Sequence, residues 1–388
     1  MFSSRLDWTS APNRISELLG RKKAAGATLL DLTESNPTLA GISYPSEQIL
    51  NALHDPRALR YQPSAAGLEE ARAAVSKYYA GRVGIDRILL TASTSEAYGF
   101  LFKLLANPGD EVLVPRPSYP LFEFLAALES VRVVQYPLHY DGGWAVDFEA
   151  LAARINARTR AVLIVNPNNP TGSFLKQGES EQLIALCAKH DLAMISDEVF
   201  ADYGLSDDPR RVSSLHSVES VLAFSLSGLS KAVGLPQMKL GWIVVSGPTE
   251  TRRQAWNRLE LIADTYLSVS APVQWAAAEL LETRHAIQEQ IVSRVRANLA
   301  HLRSHCGPDS TWRVLNVEGG WYAIMQAPRV RSEEEWVLSL LENDGVLVQP
   351  GYFFDFEREA FLVISLLTRP EIFELGVGKI LSQPVSPR

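Results

Sequence analysis

The sequence predicts an α/β protein: a mostly parallel sheet of about seven strands covered by helices, plus a smaller α+β domain. Two observations predict this fold. Short apolar runs rich in β-branched residues recur between residues 87 and 247, as is typical of strands buried on both faces. Helix-like stretches separate most of these runs, which is the order of elements that builds a parallel sheet.

The predicted strands come in a regular order along the chain. They are RILLTAS (87–93), DEVLVP (110–115), VRVVQYPL (131–138), AVLIVNP (161–167), LAMISDEVF (192–200), VLAFSLS (221–227) and LGWIVVSG (240–247). The stretches SEAYGFLFKLLANPGD and ESEQLIALCAKHD have helical patterns. Because only a loop joins the last two runs, we expect one antiparallel connection there.

The rest of the chain predicts the smaller domain. A long helical segment begins at Ala271, with Pro272 in its first turn, and apolar residues recur on one side of it. Strands (GGWYAIMQ, FLVISLL) and a helix (SEEEWVLSLLEND) follow. We expect residues 1–45 to pack with this part, so the predicted domains are 46–280 (large) and 1–45 with 281–388 (small).

Composition excludes several classes of protein. A net charge of −7 over 388 residues argues against a nucleic-acid surface. No run approaches the roughly 18 apolar residues that a membrane span needs, and the first residues contain no apolar core of a signal peptide. Cys187 and Cys306 form no CxxC motif, which favours structural thiols in a reducing cytoplasm. His301 and His305 lack an acidic companion, so we interpret them as a solvated helix end and predict no metal site.

Chemistry-bearing residues follow several predicted strands. Ligands of such sheets bind beyond the carboxyl ends of the strands. The residues there are Ser93, Thr94 and Ser95 opening a helix, then Tyr119, then Asn169 in a loop stiffened by two prolines, then Asp197, and finally Lys231. Taken singly, they also fit an ordinary helix cap, a core aromatic residue and a plain turn.

Together these residues favour pyridoxal phosphate. Its phosphate suits a helix N-terminus, its ring nitrogen needs an anion to stay protonated, and its aldehyde needs a lysine. Lys231 and Lys239, in AFSLSGLSKAVGLPQMKLGW, have few acidic neighbours in sequence. A covalent bond to the cofactor would explain the first.

Longer motifs carry a resemblance to a known family. NPNNPTG, SDEVF and SGLSKAVGLPQMKLGW are the most specific, and RYQPSAAGLEEAR and NPGDEVLVPRPSYP add to them. Over nearly its whole length the chain resembles the class I/II aminotransferases, fold-type I enzymes of the aspartate aminotransferase superfamily. The resemblance implies a large cofactor-binding domain, a small domain built from both termini, and a homodimer with active sites at the subunit interface.

The resemblance also implies roles for individual positions. Around the cofactor ring, it implies Lys231 as Schiff-base lysine and proton shuttle, Asp197 as partner of the pyridine nitrogen, Asn169 as donor to the ring 3′-oxygen and Tyr119 as stacking residue. For the phosphate, it implies a loop of Ser93, Thr94 and Ser95, a further contact from Ser230, and Tyr61 as the tyrosine that reaches the phosphate of the neighbouring subunit. It implies Asn36 as a substrate contact.

Three positions depart from the family pattern. Lys239 and Phe200 stand where the family usually has a phosphate-binding arginine and a tyrosine that donates to the ring 3′-oxygen. Lysine keeps the charge but loses the bidentate fork. Val363 stands where the family has the arginine that binds the substrate α-carboxylate. Arg369 and Arg5 are candidate replacements, although each taken alone is more typical of a surface arginine.

The sequence does not identify the substrate. Trp8, Trp321, Tyr352, Phe353 and Phe354 are candidates for an apolar pocket, although such aromatic residues also fit the core or an interface.

The predicted function is a pyridoxal-phosphate-dependent aminotransferase, acting between an amino acid or amine and a 2-oxo acid. One alternative is another reaction on the same scaffold, such as a C–S β-lyase or a biosynthetic cyclase or eliminase. A transcription regulator with an aminotransferase-like sensor domain is a second. The acidic composition and the position of ESNPT at residue 34 disfavour it.

Overall fold

All seven apolar runs form strands of one sheet in the structure, a computed structural model that describes residues 2–6, 8, 11–307 and 309–384. The strands of the described residues are β1 (Leu30–Asp31), β2 (Ile88–Thr91), β3 (Glu111–Arg116), β4 (Arg132–Tyr140), β5 (Trp144–Val146), β6 (Thr159–Val165), β7 (Ala193–Asp197), β8 (Ala223–Gly228), β9 (Gly241–Ser246), β10 (Arg313–Val314), β11 (Tyr322–Gln326), β12 (Val346–Leu347), β13 (Gln349–Pro350) and β14 (Phe361–Ser365).

Helices cover the sheet and build the smaller part of the molecule. The α-helices of the described residues are α1 (Arg14–Ala24), α2 (Ser46–Leu53), α3 (Glu69–Tyr78), α4 (Thr94–Leu105), α5 (Leu121–Leu128), α6 (Phe148–Ala153), α7 (Gln177–His190), α8 (Leu229–Ala232), α9 (Thr249–Tyr266), α10 (Ala271–Glu282), α11 (Arg284–His305), α12 (Glu333–Ser339) and α13 (Pro370–Leu381). None of the helices in the described ranges has the length and apolar character that crossing a membrane requires.

The large sheet has the order β2-β9-β8-β7-β6-β3-β4-β5. The neighbours from β8 to β4 are parallel, whereas β9 is antiparallel to both β8 and β2, so the expected antiparallel connection is confirmed. The strand β5 makes eight strands rather than seven. Its three residues follow Gly142 and Gly143 and fold back on the end of β4, and so short a run gives no clear periodicity in the sequence.

The smaller part contains a four-stranded antiparallel sheet, β10-β11-β14-β13, and the parallel pair of β1 with β12. The long helix predicted from Ala271 is two helices that meet at Thr283. There the Thr283 hydroxyl donates to the Leu280 main-chain oxygen at 2.7 Å, a local bond that competes with a regular helix. α2 begins at Ser46 and α10 packs on α2 and α3. The domain boundaries themselves remain a prediction.

The register of the central strands brings their following loops together. Asp197 at the end of β7 is opposite Val165 of β6 and Leu226 of β8. The loops that carry Asn169 and Lys231 therefore leave the sheet beside Asp197, at the edge where ligands of parallel sheets bind.

Candidate active site

Lys231 lies where the chain passes from β8 into the short helix α8. Its amine nitrogen is 4.8 Å from the centre of the Trp321 ring and 5.6 Å from the centre of the Phe200 ring. The Tyr203 hydroxyl donates a hydrogen bond of 2.6 Å to the main-chain oxygen of Lys231. The backbone of the lysine is thus fixed, while its amine lies against aromatic surfaces.

Burial lowers the pKa of the Lys231 amine from 10.5 to about 8, and the negative charge of Asp197 opposes part of that shift. A buried ammonium group loses hydration, so burial favours the neutral amine. The neutral amine is the form that attacks a carbonyl carbon or removes a proton. Lys231 is therefore suited to act as nucleophile and base near neutral pH.

Asp197 is a buried carboxylate whose two oxygens have different partners. The Tyr98 hydroxyl donates to Oδ2 at 2.8 Å, and the Val199 amide donates to Oδ1 at 3.1 Å. Burial raises the pKa of Asp197, whereas these two hydrogen bonds and the charge of Lys231 lower it. Each carboxylate oxygen has two lone pairs, so Asp197 can accept a further hydrogen bond from a cationic ligand.

Several buried polar atoms near this edge of the sheet lack a hydrogen-bond partner among the described residues. They include Asn169 Oδ1, in the loop after β6, Ser227 Oγ, near the end of β8, and Trp321 Nε1, beside Lys231. The loop itself is closed by Asn168, whose side-chain oxygen accepts from the Thr171 hydroxyl at 2.9 Å. An unsatisfied buried polar group costs about 1–3 kcal/mol, so a bound ligand is one expected explanation.

Tyr119 follows β3 and is 40% exposed. Burial of its phenol, followed by the nearby Tyr322 and Asp197, raises the pKa of Tyr119 to about 12. The Tyr119 and Tyr98 rings both contact the Phe122 ring, at 6.0 and 5.3 Å between ring centres. Because the Tyr98 hydroxyl donates to Asp197, Tyr119 lies near the carboxylate. A partly exposed aromatic ring in this position can stack on a planar ligand.

Ser93, Thr94 and Ser95 form the start of α4. Ser93 is the N-cap, and its hydroxyl accepts from the Glu96 amide at 3.2 Å. Thr94 and Ser95 are the first helical residues, whose amides have no partner within a helix. Free amides, hydroxyl groups and the positive end of the helix together suit an anion.

Lys239 reaches the same region from β9. Gly241 is opposite Thr91 of β2 and Gly228 of β8, and a Cβ on Gly241 would lie 3.1 Å from the main-chain carbon of Ser93. A glycine is needed there for the strands to approach. Two residues earlier, Lys239 is exposed and has a left-handed φ of 53°. It forms no ion pair with any carboxylate of the described residues.

Ser230 and Tyr61 are the remaining residues for which the resemblance implies a phosphate contact. Ser230, which directly precedes Lys231, is partly exposed. Tyr61 is 80% exposed and lines a cavity of about 340 Å³ together with Leu267 and Ser268. So exposed a tyrosine is available to a neighbouring molecule.

Phe200 supplies an aromatic surface and no hydroxyl. Its buried ring makes an edge contact with Trp321 at 5.2 Å between ring centres. Tyr203 is the nearby tyrosine, but its hydroxyl already donates to the main chain of Lys231. Tyr203 therefore does not replace the donor that position 200 lacks.

Val363 lies on β14 with no exposed surface. It is opposite Ile324 of β11 and belongs to an apolar cluster with Leu315, Ile324 and Phe354. The position where the resemblance implies an arginine is thus part of a packed core.

The two candidate arginines are engaged elsewhere. The Arg369 guanidinium packs against Gly41, where an added Cβ would be 2.9 Å from Nε. Arg5 donates to the main-chain oxygen of Leu128 at 3.0 Å.

The remaining substrate candidates have mostly local contacts. The side-chain oxygen of Asn36 closes its own turn by accepting from the Thr38 amide and hydroxyl at 3.0 and 2.7 Å. Tyr352 is 43% exposed, and its phenol lies near Glu333, Glu334 and Arg14. The structure therefore brings together Lys231, Asp197, Tyr119 and Phe200, with the start of α4 and Lys239 beside them, but it does not bring Tyr352 into contact with this group.

Residues away from the cleft bear on the metal and thiol predictions. The rings of His301 and His305 lie 4.3 Å apart near the end of α11, and the described residues include no group of three or more potential metal ligands. Cys187 and Cys306 are both free, and burial raises the pKa of each thiol.

Comparison with known proteins identifies the family. The family model for aminotransferase class I and II matches residues 27–375. The chain belongs to the class I and II aminotransferases. Among its curated relatives, the glutamate-pyruvate aminotransferase AlaA of Escherichia coli K12 is 28% identical over 377 residues, covering 92% of this chain and 91% of the relative. The alanine aminotransferase of Mycobacterium tuberculosis H37Rv is 30% identical over 370 residues, covering 90% and 83%.

Solved structures agree with this aminotransferase in fold. An aminotransferase from Escherichia coli has a TM-score of 0.87 at 24% identity, covering 98% of this chain and 97% of that chain. The alanine aminotransferase from Pyrococcus furiosus has a TM-score of 0.86 at 22% identity, covering 98% of each chain. The predicted fold-type I architecture is confirmed.

Like the rest of its family, this aminotransferase is an enzyme that uses pyridoxal phosphate, as the sequence predicted. Its residues fit the group: a lysine amine of lowered pKa, a buried carboxylate with free lone pairs, and two unsatisfied buried oxygens in Asn169 and Ser227. When bound, pyridoxal phosphate supplies an aldehyde for the lysine and a protonated ring that takes up the electron pair from the substrate carbon.

Sequence reasoning missed several residues of this aminotransferase's site. Tyr98 lies one helical turn after Thr94, so the spacing offered a signal that it shares a helix face with the phosphate loop. Glu96 accepts from the Ala92 amide and the Ser268 hydroxyl, both at 2.7 Å, and so supports that loop. The bond from Ser268 joins residues 172 positions apart in the sequence, and no local pattern could indicate it.

Proposed function

We propose that Lys231 is the residue of this aminotransferase that bonds to the cofactor and moves the proton of the reaction. The observation that supports this most is the setting of its amine, which has a pKa of about 8, an aromatic enclosure and Asp197 as the nearby charge. Lys239 is exposed and has no such enclosure. The two lysines therefore have different roles, attachment for Lys231 and phosphate binding for Lys239.

The proposed proton transfer uses the neutral form of Lys231. Its Nζ removes the proton from the substrate carbon that carries the amine and holds it as an ammonium group. The centres of the Trp321 and Phe200 rings lie 4.8 and 5.6 Å from that nitrogen. The two rings stabilise the cation and exclude water. A positioned general acid–base contributes roughly 10²–10⁴-fold to such a reaction.

The other residues are proposed to hold and orient the cofactor. Asp197, fixed by Tyr98, would accept a hydrogen bond from the protonated ring nitrogen, and Tyr119 would stack on the ring. Asn169 would donate to the ring 3′-oxygen. For the phosphate we propose Lys239 with Ser93, Thr94, Ser95 and Ser230.

We further propose a cytoplasmic homodimer in which Tyr61 reaches the phosphate in the neighbouring subunit. The 80% exposure of Tyr61 and its position beside the cavity that Leu267 and Ser268 line support this, because Ser268 also contacts the phosphate loop through Glu96. Leu59 and Leu267 add exposed apolar surface to the same region. The two free cysteines agree with a reducing compartment.

The curated relatives support a small 2-oxo acid as the acceptor. One is named for glutamate and pyruvate and another for alanine. We therefore propose pyruvate or a 2-oxo acid of similar size as the acceptor to test first.

Reduction of the cofactor-loaded enzyme with borohydride tests the central proposal. Reduction makes the bond between lysine and cofactor permanent, so peptide mass mapping reveals which lysine carries it. We expect the label on Lys231, its loss in Lys231→Ala, and its retention in Lys239→Ala. A label on Lys239, or turnover retained in Lys231→Ala, would refute the assignment.

A further inference from the structure

A second buried carboxylate, Glu198, directly follows Asp197 and is 2% exposed. Neutral groups hold it. The Leu215 amide and the Ser225 hydroxyl donate to Oε1 at 2.8 and 3.0 Å, and the Ser214 hydroxyl donates to Oε2. None of the ion pairs of the described residues includes it. Burial of a carboxylate without a cation is costly, so three dedicated donors indicate that its position matters.

The two carboxylates lie on opposite faces of the large sheet, because successive residues of a strand point to opposite sides. Tyr98, the donor to Asp197, belongs to the apolar core on the face of Ile195. Leu215, a donor to the neighbouring carboxylate, belongs to the core on the face of Met194. The neighbouring carboxylate also lines a cavity of about 140 Å³, whose other charged or titratable residues are Tyr78, Tyr79, Arg82, Asp202 and His216.

The turn at residues 198–203 carries three contacts of the active site. The Val199 amide donates to Asp197 Oδ1 at 3.1 Å. The centre of the Phe200 ring is 5.6 Å from the Lys231 amine, and the Tyr203 hydroxyl donates to the Lys231 main-chain oxygen at 2.6 Å. The orientation of the carboxylate and of the lysine therefore depends on the same short segment.

Glu198 fixes this turn to the sheet. Its amide donates to the Leu226 oxygen of β8 at 2.8 Å, and its side chain accepts from Ser225 of the same strand. Its main-chain oxygen accepts from the Ala201 amide at 3.0 Å. That oxygen and the Val199 N–H belong to one planar peptide unit, so the position of Glu198 sets the direction of the N–H that contacts the first carboxylate.

We propose that Glu198 is a positioning residue of the reaction. From the face of the sheet opposite to Asp197, it holds the turn at 198–203 and so keeps Asp197 and Lys231 in their mutual geometry. The proposal rests on the function proposed above, in which Asp197 holds the ring nitrogen and Lys231 moves the proton. A displacement of about 1 Å at such a site can lower a rate roughly 10²-fold, so the anchor has a measurable effect although it lies outside the cleft.

Glu198→Ala and Glu198→Gln together test this role. Alanine removes the anchor, and we expect kcat/KM of the half-reaction with alanine, followed in the absorbance of the bound cofactor, to fall by about 10- to 100-fold. Glutamine keeps an oxygen for the Leu215 amide and the Ser225 hydroxyl, and its amide group can donate to the Ser214 hydroxyl. We therefore expect Glu198→Gln to remain within about threefold of the wild type.

The pH profile distinguishes positioning from a general loss of stability. A Val199 N–H that no longer points at Asp197 stabilises the anion less, so the pKa of Asp197 rises and the acid limb of kcat/KM moves to higher pH in Glu198→Ala. Loss of the negative charge alone would move the limb to lower pH. A shift to higher pH therefore identifies the geometric effect, and Glu198→Gln should not show it.

Glu111→Ala is the matched control. Glu111 is also a buried carboxylate, 7% exposed, and accepts from the Asn156 side chain at 2.7 Å, but it begins β3 at the opposite end of the same sheet. We expect its kcat/KM to stay within about twofold and its acid limb to stay in place. If Glu198→Ala does not fold, Ser225→Ala decides, because it removes one donor and keeps the charge. We expect it to lower kcat/KM by about two- to fivefold with a shift of the limb in the same direction.

The outcomes separate this proposal from the one on which it rests. Equal effects of Glu198→Ala and Glu111→Ala, a fall in Glu198→Gln as large as that in Glu198→Ala, or an unmoved acid limb would overturn the role of Glu198 while leaving Lys231 in place. A borohydride label on another lysine of the wild type would overturn the proposed function itself. Cofactor content of each variant after reduction shows which variants have folded.

Discussion

Removal of one hydroxyl, in Tyr98→Phe, tests how Asp197 is kept ionised. The Tyr98 hydroxyl donates to Asp197 Oδ2 at 2.8 Å inside the core. A hydrogen bond to a charged group contributes about 1.5–3 kcal/mol, so the anionic form of Asp197 should lose that much stabilisation. If the whole of this lost stabilisation raises the free energy of the transition state, kcat/KM should fall by about 10- to 100-fold.

The pH profile shows whether the effect acts through Asp197. Tyr98 lowers the pKa of Asp197, so its removal raises that pKa and leaves more of the carboxylate protonated at a given pH. The acid limb of the kcat/KM profile should therefore move to higher pH, and activity should recover partly as the pH rises. The assay is the half-reaction with a good donor, measured from cofactor absorbance across the pH range.

Tyr136→Phe is the matched control. Its hydroxyl is also buried and donates to the Leu163 main-chain oxygen at 2.8 Å, but it does not contact Asp197. Tyr136→Phe should lose about 1 kcal/mol of unfolding free energy, as expected for one neutral hydrogen bond, and Tyr98→Phe about 1.5–3 kcal/mol, as expected for a bond to a charged group. Only Tyr98→Phe should move the acid limb. An unchanged acid limb in Tyr98→Phe, or an equal shift in both variants, would refute the reasoning.

Further predictions concern the lysines and the packing. Binding of pyridoxal phosphate to the apoenzyme should slow about tenfold for each pH unit below about 8 in a stopped-flow assay, because the Lys231 amine becomes protonated there. A rate independent of pH would contradict the lowered pKa. Lys239→Arg should tighten cofactor binding about tenfold through a bidentate contact, as judged by equilibrium titration, and no gain would place Lys239 away from the phosphate. Gly319→Ala should lower the free energy of unfolding in urea by about 1–3 kcal/mol, since its Cβ would lie 2.5 Å from the Phe174 ring and 2.8 Å from the Tyr203 main-chain oxygen, and unchanged stability would contradict this close packing. Val363→Arg should lower the free energy of unfolding by at least about 3 kcal/mol, because it would bury an unpaired charge, and a stable variant with faster amino-acid turnover would instead show room for a clamp.

Much of the architecture could be predicted because its signals are local. Strands buried on both faces are continuous apolar runs, and all seven predicted strands could be located from these runs in the sequence. The strand β5 could not, because three residues give no periodicity. The junction at Thr283 was missed because a single side-chain bond to the main chain, rather than a proline or glycine, interrupts the helix there.

The candidate site likewise contains residues whose proximity could be predicted from the sequence and residues whose proximity could not. Lys231, Asp197 and Asn169 follow strands whose register the sheet fixes, so their proximity follows from topology. By contrast, residues 32–34 meet the end of β14 through hydrogen bonds from the Ser365 amide and hydroxyl to the main-chain oxygens of Leu32 and Glu34, a contact between the two ends of the chain. No spacing within a short segment indicates such a contact. The junction between the two ends of the chain was therefore the part least accessible to sequence reasoning.

The position of β9 has a consequence for cofactor selection. Gly228 pairs with Gly241, and the Leu229 amide donates to the Leu240 oxygen at 2.9 Å, so sheet hydrogen bonds set the separation between Lys231 and Lys239. The proposed attachment point and phosphate anchor are thus held at a constant spacing. An aldehyde that lacks a phosphate, or whose phosphate lies farther from the ring, could bond to Lys231 but would not also place a phosphate at Lys239. The backbone of this aminotransferase would then distinguish cofactors by their length.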